Sequence, residues 1–166
     1  MKSEIRPIVY HPIGVIHSPF ETTAGTPIQP AGAEGVSGEV ELFPEYREGL
    51  KDLSGFSHII LIYHFHLSKP LPSLLVRPYM DAAARGVFAT RAPSRPNSIG
   101  ISIVRLVGID GNILHIRDVD IVDGTPLLDM KPYVPAFDIR KVERFGWLER
   151  NVHKLPRARD DGRFKE

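Results

Sequence analysis

A mainly β fold, closing into a small, closed or nearly closed antiparallel barrel with a C-terminal helix, is the architecture this sequence predicts. Two observations lead there. Fifteen prolines and fourteen glycines punctuate the chain, and between them lie short runs rich in Val, Ile, Leu, Phe and Tyr, the pattern of strands joined by turns. Helical periodicity is confined mainly to one stretch near the C-terminus. The strands must therefore cover one another, and closure is the simplest way to remove their exposed edges.

In chain order, strands are expected over residues 9–17, 38–43, 58–66, 86–90, 99–109 and 113–122. Asp110-Gly111-Asn112 separates the last two and reads as a tight hairpin turn. The mixed apolar and polar positions on either side suit a half-buried antiparallel pair. PEYREGLKDL, residues 44–53, is expected to form one or two helical turns. The helix is expected over 138–155, with Asp138 as N-cap and Ile139, Val142, Phe145, Leu148, Val152 and Leu155 recurring at spacings of three and four; Gly146 weakens it. Residues 1–155 form one domain, and the polar tail 156–166 frays.

The length of 166 residues suits a single domain, and 42% apolar with 25% charged residues suits a soluble globular protein. Lys and Arg number 21 against 20 Asp and Glu, a net charge of +1. Such a balance exerts no global pull on nucleic acid or an acidic membrane, so any basic surface is local. One local excess lies after residue 139, where Arg140, Lys141, Arg144, Arg150, Lys154 and Arg157 outnumber the acids; it serves either as a solvated face or as a phosphate contact. The absence of cysteine excludes disulfides, thiolate metal sites and cysteine nucleophiles. MKSEIRPIVY has no apolar stretch of signal-peptide length. The run from Ile59 to Tyr63 is far shorter than the ~20 residues of a membrane helix. These features predict a cytoplasmic protein without a membrane partner. GxGxxG, P-loop, HExxH and GxSxG motifs are all missing, so a nucleotide cofactor would not sit in a Rossmann crevice.

Chemistry concentrates in two segments. RAPSRPNSIG, residues 91–100, is held as a loop by Pro93 and Pro96, which cannot donate ladder hydrogen bonds. Arg91 and Arg95 project from that stiffened backbone, and Asn97 can donate and accept hydrogen bonds. The arginines either pair with nearby aspartates and pin the loop, or recognise a carboxylate or phosphate. IVDGTPLLDMKPY, residues 121–133, opens with an Asp-Gly turn signal. Asp123 either caps that turn or faces a ribose or ammonium group, and Gly124 lets a ligand approach the backbone. His64 and His66 would share one face of a strand. Two histidines fall short of the three or four ligands zinc requires, so no metal is expected.

GVFATRAPSRPNSIGIS (86–102) and DIVDGTPLLDMKPY (120–133) together resemble the two signature segments of the TrmO (YaeB/TsaA-like) family of β-barrel tRNA adenine N6-methyltransferases. IGVIHSPF, TPIQP, LSGFSHIILIYHFH and RFGWLE resemble the family in the same order, so the likeness spans roughly residues 10–150. Ser98 stands where the usual pattern, RPNPIG, has a second proline. The resemblance implies a barrel that binds S-adenosylmethionine, a homodimer with its site near the subunit interface, and a tRNA substrate rather than DNA. The implied reaction methylates N6 of a threonylcarbamoyl-modified adenosine beside the anticodon. It implies a cofactor wall of Pro27, Ile28, Gln29, His66, Leu67, Arg91, Ile101, Ile121, Val122, Asp123 and Gly124. The residues assigned to the reaction itself are Asn97, as one candidate acceptor of the amine proton, and Arg95. Arg95, Lys131 and Tyr133 are assigned to the substrate. A sensor that binds the cofactor without turnover, or a methyltransferase for another RNA or a small molecule, is the alternative.

Overall fold

The computed structural model describes residues 6–165. Its strands are β1 (Gly14–His17), β2 (Ser37–Leu42), β3 (His58–His64), β4 (Leu75–Val76), β5 (Arg85–Gly86), β6 (Ile99–Asp110), β7 (Ile113–Arg117) and β8 (Thr125–Pro132). Six of them close a barrel in the order β1-β2-β7-β6-β3-β8, every neighbouring pair antiparallel, and β4 and β5 form a separate ribbon. The predicted closed antiparallel barrel is therefore the fold.

Alternation explains the closure. Along β6, Gly100, Ser102, Val104 and Leu106 point inward while Ile99, Ile101, Ile103 and Val107 point out. The interior is filled by Ile16, Val40, Ile59, Leu61, Val104, Leu114, Ile116 and Leu127, each almost wholly buried. Gly111 supplies the positive φ, 63°, that the tight β6–β7 turn needs at its first position. Asn112 ties the turn to β2 by donating to the Leu42 carbonyl at 2.7 Å.

Several expectations are corrected. The first strand begins at Gly14, not residue 9, and Val9 and Tyr10 are exposed. Most of the segment expected as a strand over 86–90 is a 3-10 turn, Val87–Ala89. The strand predicted to run to residue 122 stops at Arg117, because Asp118 takes a left-handed φ of 67° and turns the chain. β8 forms where no strand is expected. Its Pro126 and Pro132 lie near the two ends, where a missing donor disturbs the ladder least. The helical turns expected over 44–53 do form, as the 3-10 helix Pro44–Leu50.

The helix over 138–155 does not form. One α-turn, α1 (Pro135–Asp138), is followed by irregular chain and two 3-10 helices, Gly146–Arg150 and Val152–Arg157. Asp138 ends α1 rather than capping a new helix, and its carboxylate accepts the Val134 N–H at 2.7 Å. Gly146 sits at φ 62°, outside helical space, and the Glu149 carboxylate captures the Phe145 N–H at 3.0 Å. Ile139, Val142 and Phe145 are left exposed, so no packed face rewards helix formation.

The tail is not frayed. The Gly25 N–H donates to the Asp160 carbonyl and the Asp160 N–H to that of Thr26, while the Lys69 N–H reaches the Phe164 carbonyl. Phe164 is buried in a second, smaller core with Val76, Val87 and Ala92. This core fastens the tail against the long loops at one barrel end. No helix among the described residues is long and apolar enough to cross a membrane.

Candidate functional site

Antiparallel closure brings the C-terminal end of β3 and the N-terminal ends of β6 and β8 to one mouth of the barrel. A cavity opens there. Its walls come from the loop around Pro27, Ile28 and Gln29, from Tyr63 and Phe65 to Ser68, from the Arg91–Arg95 loop, from Ile99 to Ile101, from Asp120 to Val122 with Thr125, and from Asp160 and Phe164 of the tail.

The floor is polar and ordered. Ser102 Oγ donates to Asp120 Oδ1 at 2.6 Å and lies 2.9 Å from the Tyr63 hydroxyl. The single Ser102 proton is committed to Asp120, so Tyr63 is the donor in the second bond. Burial keeps Tyr63 protonated by raising its pKa well above the ordinary phenol value. Burial also lifts the Asp120 carboxyl to about 7, against the opposing pull of the Ser102 hydrogen bond and the Arg91 charge. Gly100 makes this floor possible: a Cβ there would run into the Tyr63 ring and Phe65.

The walls are braced across long sequence separations. Arg91 donates to the Gln29 side-chain oxygen at 2.9 Å, joining the two proline-bounded loops. Arg95 donates to the carbonyls of Thr90 and Ala92, holding its own loop. His66 lies with Nδ1 3.4 Å from Thr125 Oγ1, and burial lowers its pKa, with His64 adding to the effect and Asp123 opposing it. Thr23 Oγ1 on the cavity wall is buried without a hydrogen-bond partner, and the Tyr79 hydroxyl beside it is turned toward the Asp160 carboxyl. Burial first, and then the neighbouring Asp160 carboxyl, keep the Tyr79 phenol protonated. The orphaned Thr23 hydroxyl awaits a partner, and a polar ligand in the cavity would supply one.

Of the residues assigned from sequence, Pro27, Ile28, Gln29, His66, Leu67, Arg91, Arg95, Ile101, Ile121 and Val122 line this one cavity. The others lie elsewhere. The Asp123-Gly124 bend turns out of the wall: Asp123 accepts from the Ser18 N–H at 3.1 Å and faces His17, and Gly124, at φ 77°, donates to the Ile16 carbonyl. Asn97 is exposed on its loop. Lys131 pairs with Asp129 at 2.8 Å, and the Tyr133 ring meets the edge of His58, both on the barrel flank. β3 ends at His64, so His66 leaves the strand and the two histidines do not share a face. No cluster of three or more potential metal ligands occurs among the described residues.

Sequence reasoning missed Tyr63, Ser102, Asp120, Tyr79, Asp160 and Phe164. The signal for Ser102 was a polar residue at an inward position of an otherwise apolar strand, IGISIVRLV, and a buried polar residue needs a partner. Asp120 and the tail residues carried no local signal.

The family model for the tRNA-methyltransferase O N-terminal domain matches residues 15–139. A probable S-adenosyl-L-methionine-binding protein of Pyrococcus abyssi is 66% identical over 157 residues, covering 95% of this chain and 85% of that protein. The mouse tRNA (adenine(37)-N6)-methyltransferase is 34% identical over 137 residues, covering 79% of this chain and 32% of that one. The crystal structure of TrmO from Pseudomonas aeruginosa superposes with a TM-score of 0.73 at 39% identity, covering 86% of this chain and 63% of that chain. The present chain thus spans less than two thirds of the solved protein and about a third of the mouse enzyme. With the barrel, the motif order and these likenesses in agreement, the chain belongs to the TrmO family, through its tRNA-methyltransferase O N-terminal domain.

Proposed function

We propose that the protein is an S-adenosylmethionine-dependent methyltransferase that modifies N6 of an adenosine in tRNA, with the threonylcarbamoyl-modified adenosine beside the anticodon as acceptor. The observation that carries this reading is the cavity in which apolar walls, a braced arginine and a half-buried carboxyl meet at the barrel mouth. The names of the mouse and Pyrococcus relatives support the same chemistry.

The residues present fit the cofactor. Ile28, Leu67, Ile101, Ile121 and Val122 provide an apolar slot for an adenine ring. Arg91, pre-set by Gln29, suits the carboxylate of an amino-acid end as a charge-assisted pair. The unpartnered hydroxyl of Thr23 offers a polar contact that a ribose or ammonium would complete. When bound, S-adenosylmethionine supplies an already activated methyl group, so the protein's main task is to place acceptor nitrogen, carbon and sulfur in line.

The acceptor amine must lose a proton as its new bond forms. Asp120 takes it: the N–H bond breaks, its electron pair stays on nitrogen, and an O–H bond forms on the carboxylate. Tyr63 and Ser102 hold that carboxylate in place. This role moves to Asp120 from Asn97, which stands outside the cavity and is available only to the approaching strand. Arg95, on the wall, faces the carboxylate of the modified base. Asp123 and Gly124 shape the rim, and Lys131 and Tyr133 are reached only by more distant parts of the substrate.

The same reading includes a homodimer working in the cytoplasm. β6 presents Ile99, Ile101, Ile103 and Val107 outward at 40–54% exposure, an apolar stripe of the kind that marks a protein contact. Ile99 and Ile101 also line the cavity, so a second copy seated on the stripe would seal its edge. Sedimentation showing a fully active monomer would remove this part of the proposal.

The test is direct. Protein, methyl-labelled cofactor and tRNA with or without the threonylcarbamoyl group are incubated together, and the label is located by nucleoside analysis. Label at N6 of the modified adenosine is the expected outcome. Cofactor binding without transfer to any RNA would favour a second reading, a binding barrel without turnover, which the Pyrococcus relative's name also suits.

A further inference from the structure

A second concavity lies beside the first, between the segment Arg77–Ala82 and the C-terminal residues Lys154–Arg163. Arg77, Lys154, Arg157 and Arg163 line it, and its one carboxylate, Asp81, is already engaged by Arg85 at 2.6 Å. Arg163 is held by Asp161 and by the carbonyls of Arg77 and Pro78. Lys154 is oriented by the Met80 carbonyl and the Asn151 side chain. Arg77 and Arg157 are exposed, and neither side chain has an ion-pair or hydrogen-bond partner among the described residues. The groove is thus a fixed cationic bed with two uncommitted guanidiniums. It carries local positive charge on a chain whose net charge is only +1.

Tyr79 connects this groove to the cavity. It belongs to the walls of both. Its ring meets Phe164 edge-on at 5.2 Å and lies 5.3 Å from the Arg163 guanidinium. The partition is therefore one side chain thick. Lys154, Arg157 and Arg163 all fall beyond residue 139, outside the stretch the family model matches. The bed is built by the C-terminal segment folding back on the Arg77 loop.

We propose that this groove binds phosphodiester groups of the RNA strand adjoining the target nucleotide, with Arg77 and Arg157 as the phosphate ligands, Lys154 as the fixed background charge, and Arg163, its own charge met by Asp161, holding the groove's shape. The proposal rests on the reading of the protein as an RNA-modifying enzyme. Guanidinium forks match phosphate oxygens in pairs. A strand anchored one side chain away from the cavity would have its flanking base aimed at the cavity mouth. Because the groove touches only backbone, it is indifferent to sequence and steeply salt-dependent.

The experiment compares the full chain with its R77E/R157E double variant, using a tRNA anticodon stem-loop and a single-stranded oligoribonucleotide as probes across a series of salt concentrations. The expected result is at least tenfold weaker binding of both RNAs. The slope of log affinity against log salt should also fall by on the order of 0.7 for each single-strand phosphate that the variant no longer neutralises. Affinity for S-adenosylmethionine should stay unchanged, and R77K/R157K should restore most of the RNA binding. RNA affinity and slope equal in wild type and R77E/R157E, or a wild type that binds neither RNA, would overturn the groove. A wild type that binds RNA through the groove yet transfers no methyl group would refute the enzymatic reading and leave the groove standing.

Discussion

Ser102 and Asp120, eighteen residues apart on different segments, meet at 2.6 Å beneath the barrel mouth, with the Tyr63 hydroxyl completing the line. The chain of donors runs one way, from phenol to serine to carboxylate. Its end is the one carboxyl of the cavity floor lifted to about 7, a value suited to exchanging a proton near neutral pH.

Methyl transfer should therefore titrate with Asp120. The rate rises with pH through about 7 as the carboxyl ionises, then levels. Asp120→Asn should lower the maximal rate by roughly 10²–10⁴-fold, the usual worth of a positioned base, while leaving cofactor affinity within a few-fold of wild type. Single-turnover rates against pH and calorimetric titration of the cofactor check this. A variant that keeps the wild-type rate and profile would clear Asp120 of the role.

The same carboxyl shapes stability. The folded protein holds its proton more tightly than the unfolded chain, whose aspartates titrate near about 4. Between about pH 4 and 7 the folded state binds the extra proton, so stability from this group is full at acid pH and lost as pH rises through about 7. Asp120→Asn should gain on wild type in Tm at about pH 8 relative to about pH 4, with scanning calorimetry as the measurement.

Arg91 and Gln29 join the two loops at 2.9 Å. Arg91→Ala should weaken S-adenosylmethionine binding by about 1.5–3 kcal/mol, the scale of a hydrogen bond to a charged group. Gln29→Ala should cost less, about 1 kcal/mol, because it only frees the guanidinium. Isothermal calorimetry at constant salt separates them; equal, negligible losses would place the carboxylate elsewhere.

Gly100 lies under the Tyr63 ring and Phe65, where a Cβ has no room. Gly100→Ala should destabilise by roughly 1–3 kcal/mol, as overpacking does, and should displace the tyrosine from Ser102. Urea unfolding reads the first effect. An intact midpoint would mean the floor can yield.

Phe164 is 7% exposed in the smaller core and also lines the cavity. Phe164→Ala should cost on the order of 3 kcal/mol in stability and loosen cofactor binding at the same time. Normal cofactor affinity in the folded variant would show that the tail is only a fastener.

The barrel was legible in the sequence because its cause is local. The short apolar runs of β3 and β6, the prolines and glycines that bound them, and the Asp-Gly-Asn turn between β6 and β7 are short-range patterns, and closure follows from strands with edges to hide. Failures came where distant parts decide. Prolines near the ends of β8 concealed a strand that needs only the donors between them. The periodicity over 138–155 had no surface to pack against, and Gly146 with the Glu149 side-chain bond settled that stretch as 3-10 turns.

For the site, the family resemblance was enough to bring Gln29, His66, Arg91 and Ile121 under suspicion, while residue chemistry alone had singled out the Arg91 loop. Their meeting in one cavity depends on barrel register, which no short segment encodes. The same holds for Asp123, turned outward by its bond to Ser18, and for Asp120 and Phe164, brought in by Ser102 and by the Val76 core. Sequence alone determined that the chain is mainly strand and turn and which chemistry is present. Tertiary structure decided which side chains face each other, because burial and partnership are properties of two distant segments at once.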